Sequence, residues 1–216
     1  MNKLFAEVIK NLEKNNMTGF YVERKQDVVP MLETLMEKGA TVAVGGSMSL
    51  LECGAMDHLK SGRYTFLDRY APGLSEAQVH EVFLQSLSAD HYLCSTNAVT
   101  EDGILYNVDG NSNRVSAMLY GPKSVILVVG KNKIVKNLDE AVRRVKTVAA
   151  PDNAKRLGCP TFCKESGECI SLKNKESELC SGCASDARIC CNYVICARQR
   201  IKGRIKVILV GEPLGF

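Results

Sequence analysis

The chain has 216 residues, 45% of them hydrophobic, a length and composition that suit one domain with a small appendage and a sizeable core. Its net charge is +4 with both signs well mixed, and no Lys/Arg stretch interleaves with aromatic residues, which argues against nucleic acid as a partner. No run of about 18 apolar residues exists, so the sequence offers no membrane span.

The first thirteen residues, Met1 to Glu13, carry apolar side chains at helical spacing. Glu7 and Lys10 interrupt the apolar stretch that a secretory signal needs, so this segment reads as an amphipathic helix of a cytoplasmic protein. Gly19-Phe20-Tyr21-Val22 predicts a short strand, and Asp27 to Met36 a helix ending near Gly39. Ala40-Thr41-Val42-Ala43-Val44 is a β-branched run closed by Gly45-Gly46-Ser47, the mark of a buried strand. Ser49 follows in the helix that begins there. The glycines allow close backbone approach, and the free N–H groups of a helix start can hold an anion; equally, Ser47 can act as a simple cap.

Asp68-Arg69-Tyr70 reads as a surface ion pair before the Ala71-Pro72-Gly73 turn, and Ser75 to Ser86 as a helix on which His80 is an ordinary packing or surface residue. Tyr92 to Ser95 predicts a strand. Ile104 to Val108 predicts short strands between the turns at Glu101-Asp102-Gly103 and Asp109-Gly110-Asn111. Asn, Asp and Gly favour turns, yet Asn97, Asp102, Asp109, Asn111, Asn113 and Arg114 offer more donors and acceptors than turns require. Arg114 could clamp a carboxylate or phosphate with two parallel bonds. No histidine has the context of a catalytic triad, and no catalytic residue is assigned.

Ser124 to Gly130 is a continuous apolar run, as in a strand covered on both faces of a parallel sheet. An amphipathic helix follows Leu138, with Pro151 expected to restart it. Lys173 to Ser181 reads as a polar loop, and Ile205 to Gly211 as a last strand. Strands alternating with helices predict a three-layer α/β/α fold with a mostly parallel sheet. Residues 1–157 form the α/β body, 158–196 a cysteine-rich metal-binding segment, and 197–216 a strand returning to the sheet.

Eight of the ten cysteines lie between Cys159 and Cys196. In a reducing cytosol such crowding favours metal over disulfides, and a pair two residues apart, such as Cys180 and Cys183, can turn both sulfurs onto one ion. All-thiolate ligation suits Zn2+ and an iron–sulfur cluster alike, so the choice between them stays open.

The chain resembles the LUD-domain proteins, a family named for lactate utilisation. The likeness rests on Phe66 to Leu74, Ser95 to Gly103, Tyr106 to Val115, Gly121-Pro122-Lys123, Val129 to Val135, Ala149 to Leu157 and Val210 to Phe216. It implies a fold similar to the ribose-phosphate isomerase and CoA transferase-like superfamily, with the loops at Gly45-Gly46-Ser47, Asn97 and Asp109 facing one cleft. It also resembles the short members of the family, whose Thr-x-Cys, Gly-x-Cys, Cys and Arg-Ile-Cys pattern selects Cys163, Cys169, Cys183 and Cys190. Cys159, Cys180, Cys191 and Cys196 are additional and serve as alternates. The implied role is a subunit or accessory factor in lactate oxidation, working with iron–sulfur partners, with self-association by family analogy. One alternative is an enzyme that binds an anionic small molecule, phosphate or CoA; its CoA-transferase form would want a glutamate nucleophile, for which Glu101 is the nearest residue. The other is a zinc-stabilised binding module.

Overall fold

The computed structural model describes residues 1–176 and 178–216. Helix α1 (Lys3–Lys14) is capped by Asn2, whose side chain accepts from the Phe5 amide, and buries Phe5, Val8 and Leu12 on one stripe before β1 (Thr18–Val22). Helix α2 (Val28–Leu35) leads into β2 (Thr41–Val44), and α3 (Met48–Glu52) with α4 (Ala55–Leu59) into β3 (Thr65–Leu67). Helix α5 (Glu76–Ser86) begins in a reciprocal Ser75–Gln78 cap and precedes β4 (His91–Cys94). Strands β5 (Ala98–Thr100) and β6 (Leu105–Asp109) form a hairpin. Then come α6 (Asn113–Leu119), β7 (Ser124–Gly130), β8 (Ile134–Val135), α7 (Leu138–Arg144) and α8 (Ala150–Leu157). The cysteine-rich segment contributes the short helices α9 (Phe162–Ser166) and α10 (Ile170–Lys173) and the strand β9 (Asn192–Cys196), before β10 (Ile205–Val210).

Six strands form a wholly parallel sheet in the order β1-β10-β7-β4-β2-β3. The continuous apolar run of β7 explains its central place, because both of its faces are covered. Val125, Leu127 and Val129 join α1 and α6 on one side, whereas Ile126 and Val128 join α2, α3 and α4 on the other. The fold is therefore a three-layer α/β/α arrangement on a parallel sheet, as the alternation of elements predicts.

Two features depart from the sequence reading, the second sheet and the unbroken junction of α7 with α8. A second sheet, in the order β8-β5-β6-β9, packs Ala98, Tyr106 and Val108 against Ala141, Val145 and Ala149. Its outer strand β9 comes from within the cysteine-rich segment and pairs antiparallel with β6, Leu105 opposite Cys196. Pro151 stands in the first turn of α8, as expected, although no break precedes that helix. A π turn over Val145–Ala149 joins α7 to α8 without a break, and this widened turn accommodates the proline's missing N–H. The polar loop expected over 173–181 is irregular from Asn174 onward, and Ser177 lies outside the described residues. No helix among the described residues is long and apolar enough to cross a membrane.

Ile126 is fully buried at the centre of the main sheet. Ile126→Ala is expected to lower unfolding free energy by about 2–5 kcal/mol, whereas Leu84→Ala on exposed α5 surface changes it by roughly 0.5 kcal/mol or less. Urea denaturation measures both, and equal effects would contradict the three-layer packing.

Candidate functional site

The chain reverses its direction of travel across the sheet between β2 and β4: β3 lies beyond β2, and β7, β10 and β1 lie beyond β4. In an open parallel sheet the loops at such a reversal diverge and leave a crevice at the carboxyl ends of the strands. Here a cavity of about 280 Å³ occupies that place. Gly46 and Ser47 enter it from the β2 loop, Ser95 and Asn97 from the β4 loop, and Asp109, Asn111, Asn113 and Arg114 from the β6–α6 connection.

Gly45 stands behind this wall. A Cβ on it would lie 3.0 Å from Arg114 Cγ, 3.0 Å from Tyr92 Oη and 3.1 Å from Cys94 Cβ, so the glycine is required by close approach. Ser47 caps α3, its Oγ accepting from the Leu50 amide at 3.4 Å. Ser49 is buried beneath the cavity floor, donating to the Leu214 carbonyl at 3.2 Å.

Arg114 is the organiser of the site. Its Nε donates to Asp109 Oδ2 at 3.2 Å, Nη1 to the Ser95 carbonyl at 3.0 Å and Asn107 Oδ1 at 2.7 Å, and Nη2 to Asn97 Oδ1 at 3.0 Å and the Val108 carbonyl at 2.9 Å. A guanidinium has five N–H donors, and every one is engaged within the chain. The expected clamp on a carboxylate is therefore corrected: Arg114 holds the loops and has no donor left for a ligand. Asn97 is fixed by the same network, because its Oδ1 also accepts from the Val108 amide at 2.9 Å.

Asp102 does not face the cavity. It bonds Thr100 Oγ1 at the β5–β6 turn, where its own carbonyl accepts from Asn15 Nδ2 at 3.0 Å, so it ties the hairpin to the end of α1. Glu101 is exposed at the same turn, outside the cavity wall.

Two cationic residues that the sequence reading passed over do line the cavity. Among the described residues Arg69 makes no ion pair; Asp68 pairs instead with Lys60 at 3.3 Å. The Arg69 guanidinium lies 4.9 Å from the Tyr70 ring centre and 4.6 Å from that of Phe83, and its buried Nε has no hydrogen-bond partner among the described residues. Lys133 is 3% exposed, with Nζ 3.0 Å from Ser49 Oγ and 3.1 Å from Ser95 Oγ. Burial, followed by the charges of Arg144 and Arg114, pushes its amine down to about 7. Both residues follow the carboxyl ends of sheet strands, β3 and β7, and that position was the signal that could have found them.

The cysteine segment encloses a second, smaller cavity of about 30 Å³. Cys163, Cys169, Cys183 and Cys190 all line it; Cys159, Cys180 and Cys191 do not, and Cys196 is buried in the main core on β9. All ten cysteines are free thiols. Thr161 Oγ1 is 3.4 Å from Cys163 Sγ, and Ser171 Oγ donates to Cys169 Sγ at 3.3 Å. Arg188 threads the loop, donating to the carbonyls of Cys180, Cys183 and Cys190 at 2.8, 3.1 and 2.8 Å. Burial, then the charges of Cys163 and Cys169, pushes the Cys190 thiol up to about 12. Among the described residues, no three Cys, His, Asp or Glu side chains converge to metal-binding distance as they stand. The donor chemistry of a shared thiol-lined cavity suits a soft cation, and ligation would require the sulfurs to draw inward.

The family model of the LUD domain matches residues 5–210. Among solved structures, a DUF162 family protein from Deinococcus radiodurans is similar, with 16% identity, a TM-score of 0.50, and coverage of 95% of this chain and 98% of that one. This likeness shows the fold alone. A likeness to eIF2B beta from Chaetomium thermophilum has 15% identity, covers 52% of this chain and 43% of that one, and at a TM-score of 0.37 carries no argument. No curated protein matches the chain.

The Lys133 amine titrates near 7 in the fold but near the ordinary lysine value of about 10.4 when unfolded. Between these values the unfolded chain holds a proton that the folded chain lacks, so stability rises with pH across that window and this penalty is constant below it. Lys133→Met should therefore be more stable than the natural chain at pH 7, by a few kcal/mol, with the advantage shrinking toward pH 10. Thermal melts at several pH values measure this, and an advantage independent of pH would contradict it.

Proposed function

The chain belongs to the LUD domain family, and on that premise we propose that it is a subunit or accessory protein of lactate oxidation, binding a small organic anion between β2 and β4 and a metal on its thiols. The observation that carries this reading is the charge of the larger cavity. Arg69, Arg156 and Arg188 line it together with Arg114, and among the described residues the only carboxylate side chain in the wall is Asp109, which Arg114 already engages. An anion entering there meets a cationic wall and the open guanidinium of Arg69. Size narrows the class further: about 280 Å³ falls at the lower edge of the roughly 300–1,000 Å³ of sites for drug-sized ligands, which favours a short carboxylate such as a 2-hydroxy acid over CoA. The parallel sheet with its crevice at the strand ends supports the finer assignment to the isomerase and CoA transferase-like superfamily.

For the metal we propose Cys163, Cys169, Cys183 and Cys190 as ligands, because these four share one cavity and the alternates do not. The hydroxyls of Thr161 and Ser171 are placed to hydrogen-bond the sulfurs, and Arg188 offsets the charge of the thiolates. Zn2+ on this set would fasten the segment, giving a binding module; an iron–sulfur cluster would supply electron transfer to an iron–sulfur partner. The residues present suit either.

Calorimetry with L-lactate, pyruvate, inorganic phosphate and CoA tests the anion site. A carboxylate should bind, and Arg69→Met should weaken it about tenfold, about 1.4 kcal/mol; saturation by CoA or phosphate alone would overturn the carboxylate reading. Metal analysis and the absorption spectrum of anaerobically purified protein test the thiols. Cys183→Ser should lower metal content, and an unchanged content would remove Cys183 from the ligand set.

A further inference from the structure

Lys133 occupies the turn Lys131–Lys133 at the carboxyl end of β7, on the cavity wall. Its two hydroxyl neighbours both donate elsewhere, Ser49 to the Leu214 carbonyl at 3.2 Å and Ser95 to the Thr96 carbonyl at 3.3 Å. Each can therefore only accept from Lys133, which fixes two N–H bonds of the amine. The third tetrahedral direction has no acceptor among the described residues, and no carboxylate pairs with the group. In an ammonium that direction would be a buried, unpaired N–H; in a neutral amine it is an open lone pair. Burial and the nearby charges of Arg114 and Arg144 both favour the neutral form, the arrangement that makes a lysine nucleophilic at neutral pH.

We propose that Lys133 is a nucleophile that forms an imine with a 2-oxo acid whose carboxylate rests on Arg69. The inference rests on the anion-binding reading of the same cavity and adds a covalent step to it. The ligand class follows from the two groups that the fold leaves open there. The Arg69 guanidinium, seated between Tyr70 and Phe83 without an acceptor, suits a carboxylate, and the amine suits a carbonyl carbon. A 2-oxo acid carries both on adjacent carbons and is small enough for the space.

In the step itself, the Nζ lone pair forms a bond to the carbonyl carbon while the carbonyl π pair moves onto oxygen. That oxygen takes one amine proton, giving a carbinolamine. The hydroxyl then leaves with the second amine proton as water, and a C=N bond remains. No oxidant or reductant is consumed. Ser95 Oγ, accepting from Nζ at 3.1 Å, orients the amine so that its lone pair faces the carbonyl carbon.

Incubation of the full chain with pyruvate and cyanoborohydride, followed by intact-mass measurement and peptide mapping, tests the proposal. One adduct is expected, heavier by one pyruvic acid less one oxygen, on the peptide containing Lys133. Lys133→Met, checked for folding by circular dichroism, should give none, and Ser95→Ala should slow trapping at least about tenfold. L-lactate, which has no carbonyl, separates the two readings. If the natural chain binds lactate in calorimetry but pyruvate and glyoxylate leave no adduct, the imine is refuted while the anion site stands; if neither carboxylate binds, both readings fall. Equal trapping in the natural chain and in Lys133→Met refutes the proposal, as does equally fast trapping of a sugar phosphate that lacks a carboxylate.

Discussion

The site depends on one guanidinium. Arg114 reaches the end of β4 through Ser95, the following loop through Asn97, and β6 through Asn107, Val108 and Asp109. It thereby joins the main parallel sheet to the small second sheet at the point where the cavity opens. Because charge-assisted hydrogen bonds are both strong and directional, a cation with all five donors engaged fixes three chain segments at once. Gly45 completes the arrangement, since a side chain there would crowd Arg114, Tyr92 and Cys94. The cations that remain accessible to a ligand, Arg69 above all, then act against a rigid frame.

Much of this architecture was legible in the residues, and the failures have physical reasons. The apolar run of β7, Val125 to Val129, identified a parallel strand buried on both faces, and the shorter run of β10, interrupted by Lys206, identified a strand. The glycine turn after β2 and the Asn/Asp-rich loops, which family likeness groups at one cleft, border one cavity through Gly46, Ser47, Asn97 and Asp109, whereas Gly45 and Ser49 lie outside its lining and the Asp102 turn serves the hairpin and α1. Arg114 was legible as important but not in its role, because a count of internal acceptors needs coordinates. Strand β3 spans only Thr65–Leu67, too short for periodicity to show, and the position of Arg69 beyond its end was hidden with it. Lys133 sits among other lysines, and only the fold reveals that it alone of Lys131 and Lys133 is buried. The second sheet escaped notice because β9 lies among cysteines that drew a different explanation.

The two cavities share a wall. Arg188 and Ile189 line both, the Cys191 amide donates to the Asp109 carbonyl at 3.2 Å, and Gly110 lies against the Ile189 backbone. Arg188 at the same time holds the carbonyls of three cysteines. Any inward movement of the thiols therefore pulls on the segment that borders the larger cavity, and the fold gives the two cavities a direct mechanical contact through hydrogen bonds rather than through a long chain of packed side chains.

Strand β1 reaches the main sheet only through β10, with Phe20 opposite Ile208 and Val22 opposite Val210. During synthesis the residues of β1 emerge well before those of β10, and among the described residues they have no other edge to join. Helix α1 is held back with them, since its apolar stripe covers the face that β10 helps to form. The apolar stripe of α1 stays without its sheet until β10 is made, and closing so long a loop makes the final docking slow.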